Sequence, residues 1–260
     1  MNQSSLDSPS SGPDFSIIIP AFNEQARLPR ALAAIRDFLA HEQIGPGNVE
    51  ILVVDDGSTD ATIRVAQEMI KDLPSLRVVS NGRNRGKGFS VRHGMLEARG
   101  RLALFTDADL SAPIEEWPKL RHAIEAGYDG AIGSRAVDRS LIAVHQSSLR
   151  ELAGIIFNRF VRLFTGLPFQ DTQCGFKAFV REPARIVFEQ QRIERFGFDP
   201  EILFLAKRHG LKIAEVPVRW AHDPATKVHV LRDSLRMFTD LIYIRWNWLC
   251  GAYPKRKIQQ

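Results

Sequence analysis

From Phe15 to about Ile132, short apolar, β-branched runs alternate with longer stretches whose apolar residues recur at helical spacing. Phe15 to Ile19, Val49 to Val54, Leu76 to Val79, Leu102 to Phe105 and Gly130 to Ile132 read as strands. Between them, Glu24 to Ala40, Asp60 to Lys71, Gly86 to Ala98 and Glu115 to Ala126 read as helices, the first carrying Leu28, Leu32, Ile35 and Leu39 on one face. Parallel strands need long crossovers, and the sequence supplies a helix for each. It therefore predicts an α/β fold, a mostly parallel Rossmann-like sheet flanked by helices.

Such a sheet binds ligands beyond the carboxyl ends of its strands. Polar clusters fall at those ends: Asn23-Glu24, Asp55-Asp56, Asn84 to Lys87, and Asp107 with Asp109. Asp107 and Asp109 stand two apart just past a buried strand. That spacing can aim both carboxylates at one hard cation, Mg²⁺ or Mn²⁺, which would share them with a diphosphate. The same pair could instead cap a helix, since Pro113 and Glu115 follow. Asp55 and Asp56 suit a ribose hydroxyl or a base N–H, or the cap of the next helix. Arg83, Arg85 and Lys87, interleaved with Gly82, Gly86 and Gly88, suit a phosphate or form a solvated charged loop. Neither a P-loop nor the dinucleotide fingerprint is present.

The second half is organised differently. Leu149 to Phe164 is apolar with interspersed arginines, and Asp171 to Phe179 reads as a loop or short strand. Asp199 to His209 reads as helix and Lys212 to Val218 as strand. His229 to Trp248 reads as a long amphipathic helix. The division expected is a Ser- and Pro-rich disordered tail over 1–14, one domain over 15–225, and a C-terminal amphipathic helix with a basic tail over 226–260.

Composition narrows the partners. Net charge is +5 and the pI about 9.4, which favours anionic ligands or surfaces. The basic residues are dispersed, with no aromatic-basic recognition motif, which argues against nucleic acid. The two cysteines give neither a disulfide framework nor zinc spacing, and the seven histidines have no zincin spacing. No window reaches the roughly 18 to 20 apolar residues of a membrane span, and the N-terminus has no signal-peptide core.

Together, Ile19-Pro20-Ala21-Phe22-Asn23-Glu24, Val53 to Asp60, Asn84-Arg85-Gly86-Lys87-Gly88 and Thr106-Asp107-Ala108-Asp109 resemble the family 2 glycosyltransferases of the GT-A fold. Gly133-Ser134-Arg135 and Asp171-Thr172-Gln173-Cys174-Gly175-Phe176-Lys177 are similar to the polyprenyl-phosphate branch, in its dolichyl-phosphate β-glucosyl form. Ser111 stands where mannosyl relatives often carry Gln, and the N-terminal anchor of eukaryotic glucosyl relatives is missing. The resemblance implies an inverting transfer of glucose from UDP-glucose to a polyprenyl phosphate. It places the chain peripherally on the cytoplasmic face of a membrane, without a transmembrane helix. Pro20, Phe22, Glu24, Asp55, Asp56, Lys87 and Asp107 would border the nucleotide sugar. Asp107 and Asp109 would hold Mg²⁺ or Mn²⁺. Asp171 would face the reacting centre as an orienting group first and a base second, and Arg135, Arg150 and Lys227 would meet the acceptor phosphate. The alternatives are GDP-mannose or another UDP-sugar as donor, a glycan acceptor, and, further off, a sugar nucleotidyltransferase.

Overall fold

The computed structural model describes residues 12–144, 148–222 and 230–254, with side chains omitted at 148–150 and 230–235. Arg150 and Lys227 therefore fall outside the side chains described, as do residues 1–11 and the basic 255–257. Pro13 and Asp14, which the sequence places in the N-terminal tail, are bonded to one end of the sheet. Leu102 N–H donates to Asp14 O at 2.9 Å, and Asp14 pairs with Arg101 at 3.0 Å.

Seven strands form the main sheet in the order β3-β2-β1-β4-β7-β5-β8. They are β1 (Phe15–Ala21), β2 (Val49–Asp55), β3 (Leu76–Ser80), β4 (Leu102–Phe105), β5 (Gly130–Ser134), β7 (Lys177–Val180) and β8 (Ile213–Pro217). β6 (Ile142–Val144) and β9 (Trp220–Ala221) pair beside it. β1 lies parallel to β2 and β4, with Phe15 opposite Val49 and Leu102. The sheet is mostly parallel, as the alternation predicts, but β7 runs antiparallel to both β4 and β5. β7 is thus a later segment inserted between two earlier strands, and strand periodicity carries no information about that.

Helices α1 (Leu28–His41), α2 (Thr62–Met69), α3 (Lys87–Glu97) and α4 (Trp117–Glu125) follow the strands in turn. After them come α5 (Ser148–Thr165), α6 (Arg181–Gln190), α7 (Phe198–Arg208) and α8 (Val230–Leu249). β1 and β2 bury nearly every residue, as strands covered on both faces must. One core packs α1, α2 and α4 against one face, around Ile17, Ile19, Val53 and Trp117. A second packs α3, α6, α7 and α8 against the other, around Ile18, Phe105, Phe179, Phe198 and Leu241. The C-terminal helix belongs to this second core: Leu241 and Ile244 are buried, and α8 packs on α5 and α7. Among the described residues, no helix is long and apolar enough to cross a membrane.

Candidate active site

The strand ends meet at a cavity of about 340 Å³. It is lined by Pro20 at the end of β1, Phe22 and Glu24 just past it, Asp56 after β2, Gly86 and Lys87 opening α3, and Asp107 and Asp109 after β4. Ala21, Asn84 and Ala108 also line it, as do Arg27, Ser90, Arg195 and Phe196. Sequence reasoning missed these last four. Arg195 and Phe196 come from the loop between α6 and α7, over a hundred residues from β1, and no local pattern announces them.

Asp55 and Asp56 hold the chain in place. The Asp55 carboxylate accepts from the backbone N–H groups of Gly57 (3.1 Å) and Ser58 (3.2 Å), an Asx turn leaving β2. Asp55 does not line the cavity. Asp56 does, yet its oxygens accept from Arg85 N (2.9 Å), Gly86 N (2.8 Å) and Asn81 Nδ2 (2.8 Å), which fixes the loop carrying Lys87. Gly86, at φ 110°, is pressed so closely on the carbonyl of Glu194 that a Cβ there would lie 2.5 Å from the oxygen. Of the two carboxylates, Asp56 is the one beside the ligand space.

Lys87 Nζ meets Asp107 Oδ1 at 2.5 Å. Burial disfavours the ammonium, but Asp107, Asp199 and Asp109 outweigh it and hold the Lys87 pKa above its ordinary value. Burial and the neighbouring Asp107 push the Asp109 carboxyl up, against hydrogen bonding by Ser111. Asp109 Oδ1 accepts from Ser111 N at 2.9 Å, and its Oδ2 lies 4.0 Å from Arg27 Nη1. Between Asp109 and Ser111, Leu110 is held at φ +47°, costly for a leucine, so this turn is imposed by its surroundings. Asp107 rests on the loop after Asp171: a Cβ on Gly175 would stand 2.1 Å from Asp107 Oδ2.

Two carboxylates whose hard oxygens stand beside the cavity, one of them with its pKa pushed up by burial and by the other's charge, fit Mg²⁺ or Mn²⁺. No group of three or more His, Cys, Asp or Glu side chains converges among the described residues. A cation here would share its shell with a ligand's phosphates rather than sit in an all-protein cage.

A second, smaller cavity of about 120 Å³ lies across the 171–176 loop, lined by Arg135, Arg139, Asn158, Asp171, Gln173 and Trp220 among others. The Arg135 guanidinium grips Asp171 through two hydrogen bonds, Nε to Oδ2 at 2.6 Å and Nη2 to Oδ1 at 2.8 Å. The backbone N–H groups of Arg135 and Gln173 also donate to that carboxylate, each at 3.0 Å. Burial would raise the Asp171 pKa, but Arg135 and these donors bring it down to about 2. A carboxylate held so low is a poor proton acceptor near neutrality, which leaves the orienting role as its fit. Arg135 follows directly on β5, and Asp171 lies in the irregular segment between α5 and β7, which brings the two together.

The described chain matches the family described as glycosyl transferase family 2 over residues 16–187. A dolichyl-phosphate beta-glucosyltransferase of Drosophila melanogaster is 41% identical over 98% of this chain and 80% of its own length. Proteins of the same name from Dictyostelium discoideum and Saccharomyces cerevisiae are 38% and 35% identical, over 92% and 93% of this chain and 76% and 77% of their own. Among solved structures, the glucosyl-3-phosphoglycerate synthase from Mycobacterium tuberculosis in complex with phosphoglyceric acid superposes with a TM-score of 0.63 at 22% identity, over 92% of this chain and 81% of the other. A mannosyltransferase from Pyrobaculum calidifontis in complex with GDP-Man and Mn²⁺ gives 0.53 at 16%, over 94% and 74%. These superpositions carry the fold. The chain belongs to glycosyl transferase family 2, and it is a glycosyltransferase of GT-A fold.

Proposed function

We propose that this chain is an inverting glucosyltransferase that moves glucose from UDP-glucose to a dolichyl-type polyprenyl phosphate, on the cytoplasmic face of a membrane. The observation that carries the reading is its likeness, along nearly the whole chain, to proteins named for transfer of glucose to dolichyl phosphate. The cavity beyond β1, β2 and β4 is the donor site, with Asp56 and Phe22 beside the nucleoside and Lys87 at the diphosphate. Asp107 and Asp109 would hold Mg²⁺ or Mn²⁺, which supplies charge neutralisation at the departing UDP.

The smaller cavity is the acceptor's. A lipid phosphate is largely ionised near neutrality, so it needs orientation and counter-charge more than a base. Arg135, held in orientation by its two hydrogen bonds to Asp171, suits that task, and the acceptor oxygen attacks the anomeric carbon opposite the diphosphate. Arg150 and Lys227 are proposed further cations for the acceptor phosphate. Gly154 and Ile155 of α5 line this cavity, and beyond them Leu152, Ile156, Phe160 and Leu163 are exposed. α8 packs on α5 and exposes Ile242, Trp246 and Leu249, with Arg245 4.4 Å from the Trp248 ring. An apolar face with arginines and tryptophans suits a bilayer interface, and it leads the lipid chain from membrane to cavity.

The test is a donor screen. Purified protein with Mg²⁺ or Mn²⁺ and a short polyprenyl phosphate is given labelled UDP-glucose, GDP-mannose or UDP-N-acetylglucosamine. Organic-extractable label from UDP-glucose alone supports the reading. Label from GDP-mannose alone, or none from any donor, overturns it.

A further inference from the structure

One buried charge pair lies behind the donor site, and none of the roles above uses it. Lys177 of β7 has no exposed surface, and its Nζ donates to Asp199 Oδ1 and, at 2.5 Å, to the carbonyl of Cys174. It sits 5.4 Å from the Phe105 ring centre and is the residue opposite Phe105 in the ladder, two positions before Asp107. Asp199 is 4% exposed and opens α7, where the helix N-terminus favours its negative charge. It lies one residue from the contact between α7 and the start of α3, where a Cβ on Gly88, the neighbour of Lys87, would stand 2.8 Å from Phe198 Cβ, and its charge acts on Lys87. A buried ion pair is a poor route to stability when apolar residues would fill the same space, so its place in the site asks for a reason.

The reason lies in Lys87. Its ammonium occupies Asp107 Oδ1, one of the oxygens a divalent cation would need. Two cations cannot share that carboxylate cheaply at low dielectric. Lys87 must then give up Asp107 and still keep its charge near an anion.

We infer that Asp199 is a positioning residue, the second anion to which Lys87 turns when Asp107 is given over to a divalent cation. Lys177 holds Asp199 in place for that exchange and, through the Cys174 carbonyl, holds the loop on which Asp107 rests. The inference rests on the proposed cation site.

Binding of Mn²⁺, read from the electron paramagnetic resonance signal of the free ion, tests it without turnover. Wild type, Asp199→Asn, Lys87→Met and the double variant are titrated, each checked for folding by circular dichroism. Asp199→Asn is expected to bind Mn²⁺ about tenfold more weakly, because Lys87 then has nowhere to go. Lys87→Met is expected to bind at least as tightly as wild type. The double variant is expected to match Lys87→Met, since no ammonium remains to be moved. If Asp199→Asn fails to fold with Lys177 unpaired, Lys177→Met/Asp199→Asn, with and without Lys87→Met, takes its place with the same expectation. Equal affinity in Asp199→Asn and wild type would overturn the inference. So would a double variant as weak as Asp199→Asn, which would mark simple long-range attraction. Absence of Mn²⁺ binding to wild type, even with UDP present, would remove the cation site itself and the inference with it.

Discussion

At the scale of single residues, the two acidic pairs separate by what their oxygens touch. Asp55 and Asp56 spend theirs largely on backbone N–H groups and so build the loop that offers Lys87. Asp107 and Asp109 face the cavity, one against an ammonium and one against Ser111. From sequence alone, ligand contact and capping were both open for all four. The spacing is the same kind of signal in either case, and only the neighbours' positions divide them. Gly175 gives the sharpest residue-level expectation. Gly175→Ala would drive a methyl group into Asp107 Oδ2, 2.1 Å away, and must displace that carboxylate. UDP affinity in the presence of Mn²⁺, measured by calorimetry, should fall by about tenfold or more, on the order of 1.4 kcal/mol. An unchanged affinity would show that Asp107 moves without consequence.

At the scale of elements, the first half was legible because each strand is an apolar run closed by a turn signal, and α1, α2 and α4 keep a 3.6-residue period. The second half was less so. α6 escaped notice because Pro183 stands near its start and only Ala184, Val187 and Phe188 are buried along it. β7 was obscured by Lys177, a buried lysine where a strand pattern asks for an apolar residue. The loop between α6 and α7, which supplies Arg195 and Phe196, has no period at all. That loop hangs from Glu201 of α7, whose carboxylate accepts from Arg192 N (3.0 Å), Ile193 N (2.9 Å) and the Tyr253 hydroxyl (2.6 Å). Burial raises the Glu201 pKa to about 7, in spite of these donors. The unfolded chain titrates lower, so between about pH 4.5 and 7 the folded protein binds a proton that the unfolded chain does not. Stability from this group is therefore present at the acid end of that window and declines as pH rises through 7. Melting temperatures from pH 5 to 8 should show that decline, and Glu201→Gln should flatten it. A profile identical in the variant would contradict the assignment.

For the whole molecule, the two cavities lie on either side of one loop, and α5 and α8 carry an exposed apolar face. α8 is part of the same body, since Leu241 and Ile244 lie in the second core. The sequence suggested amphipathic helices, but whether α5 and α8 formed one surface depended on their packing. Phe238 of α8 meets Phe160 and Phe164 of α5 edge-on, at 5.3 and 5.7 Å. If that surface meets a bilayer, Leu163→Asp with Trp246→Asp, one strongly exposed position on each helix, should cut sedimentation with anionic vesicles several-fold. UDP binding should stay as in the wild type, because neither residue lines the donor cavity. Undiminished vesicle binding would move the membrane contact elsewhere.

The claim on which the rest turns is that the carboxylates after β4 activate the departure of UDP. Transfer of labelled glucose from UDP-glucose into polyprenyl phosphate should fall at least a hundredfold in Asp109→Asn, a loss of about 2.7 kcal/mol or more of transition-state stabilisation, with the melting temperature held. Wild-type rates in that variant would contradict the account.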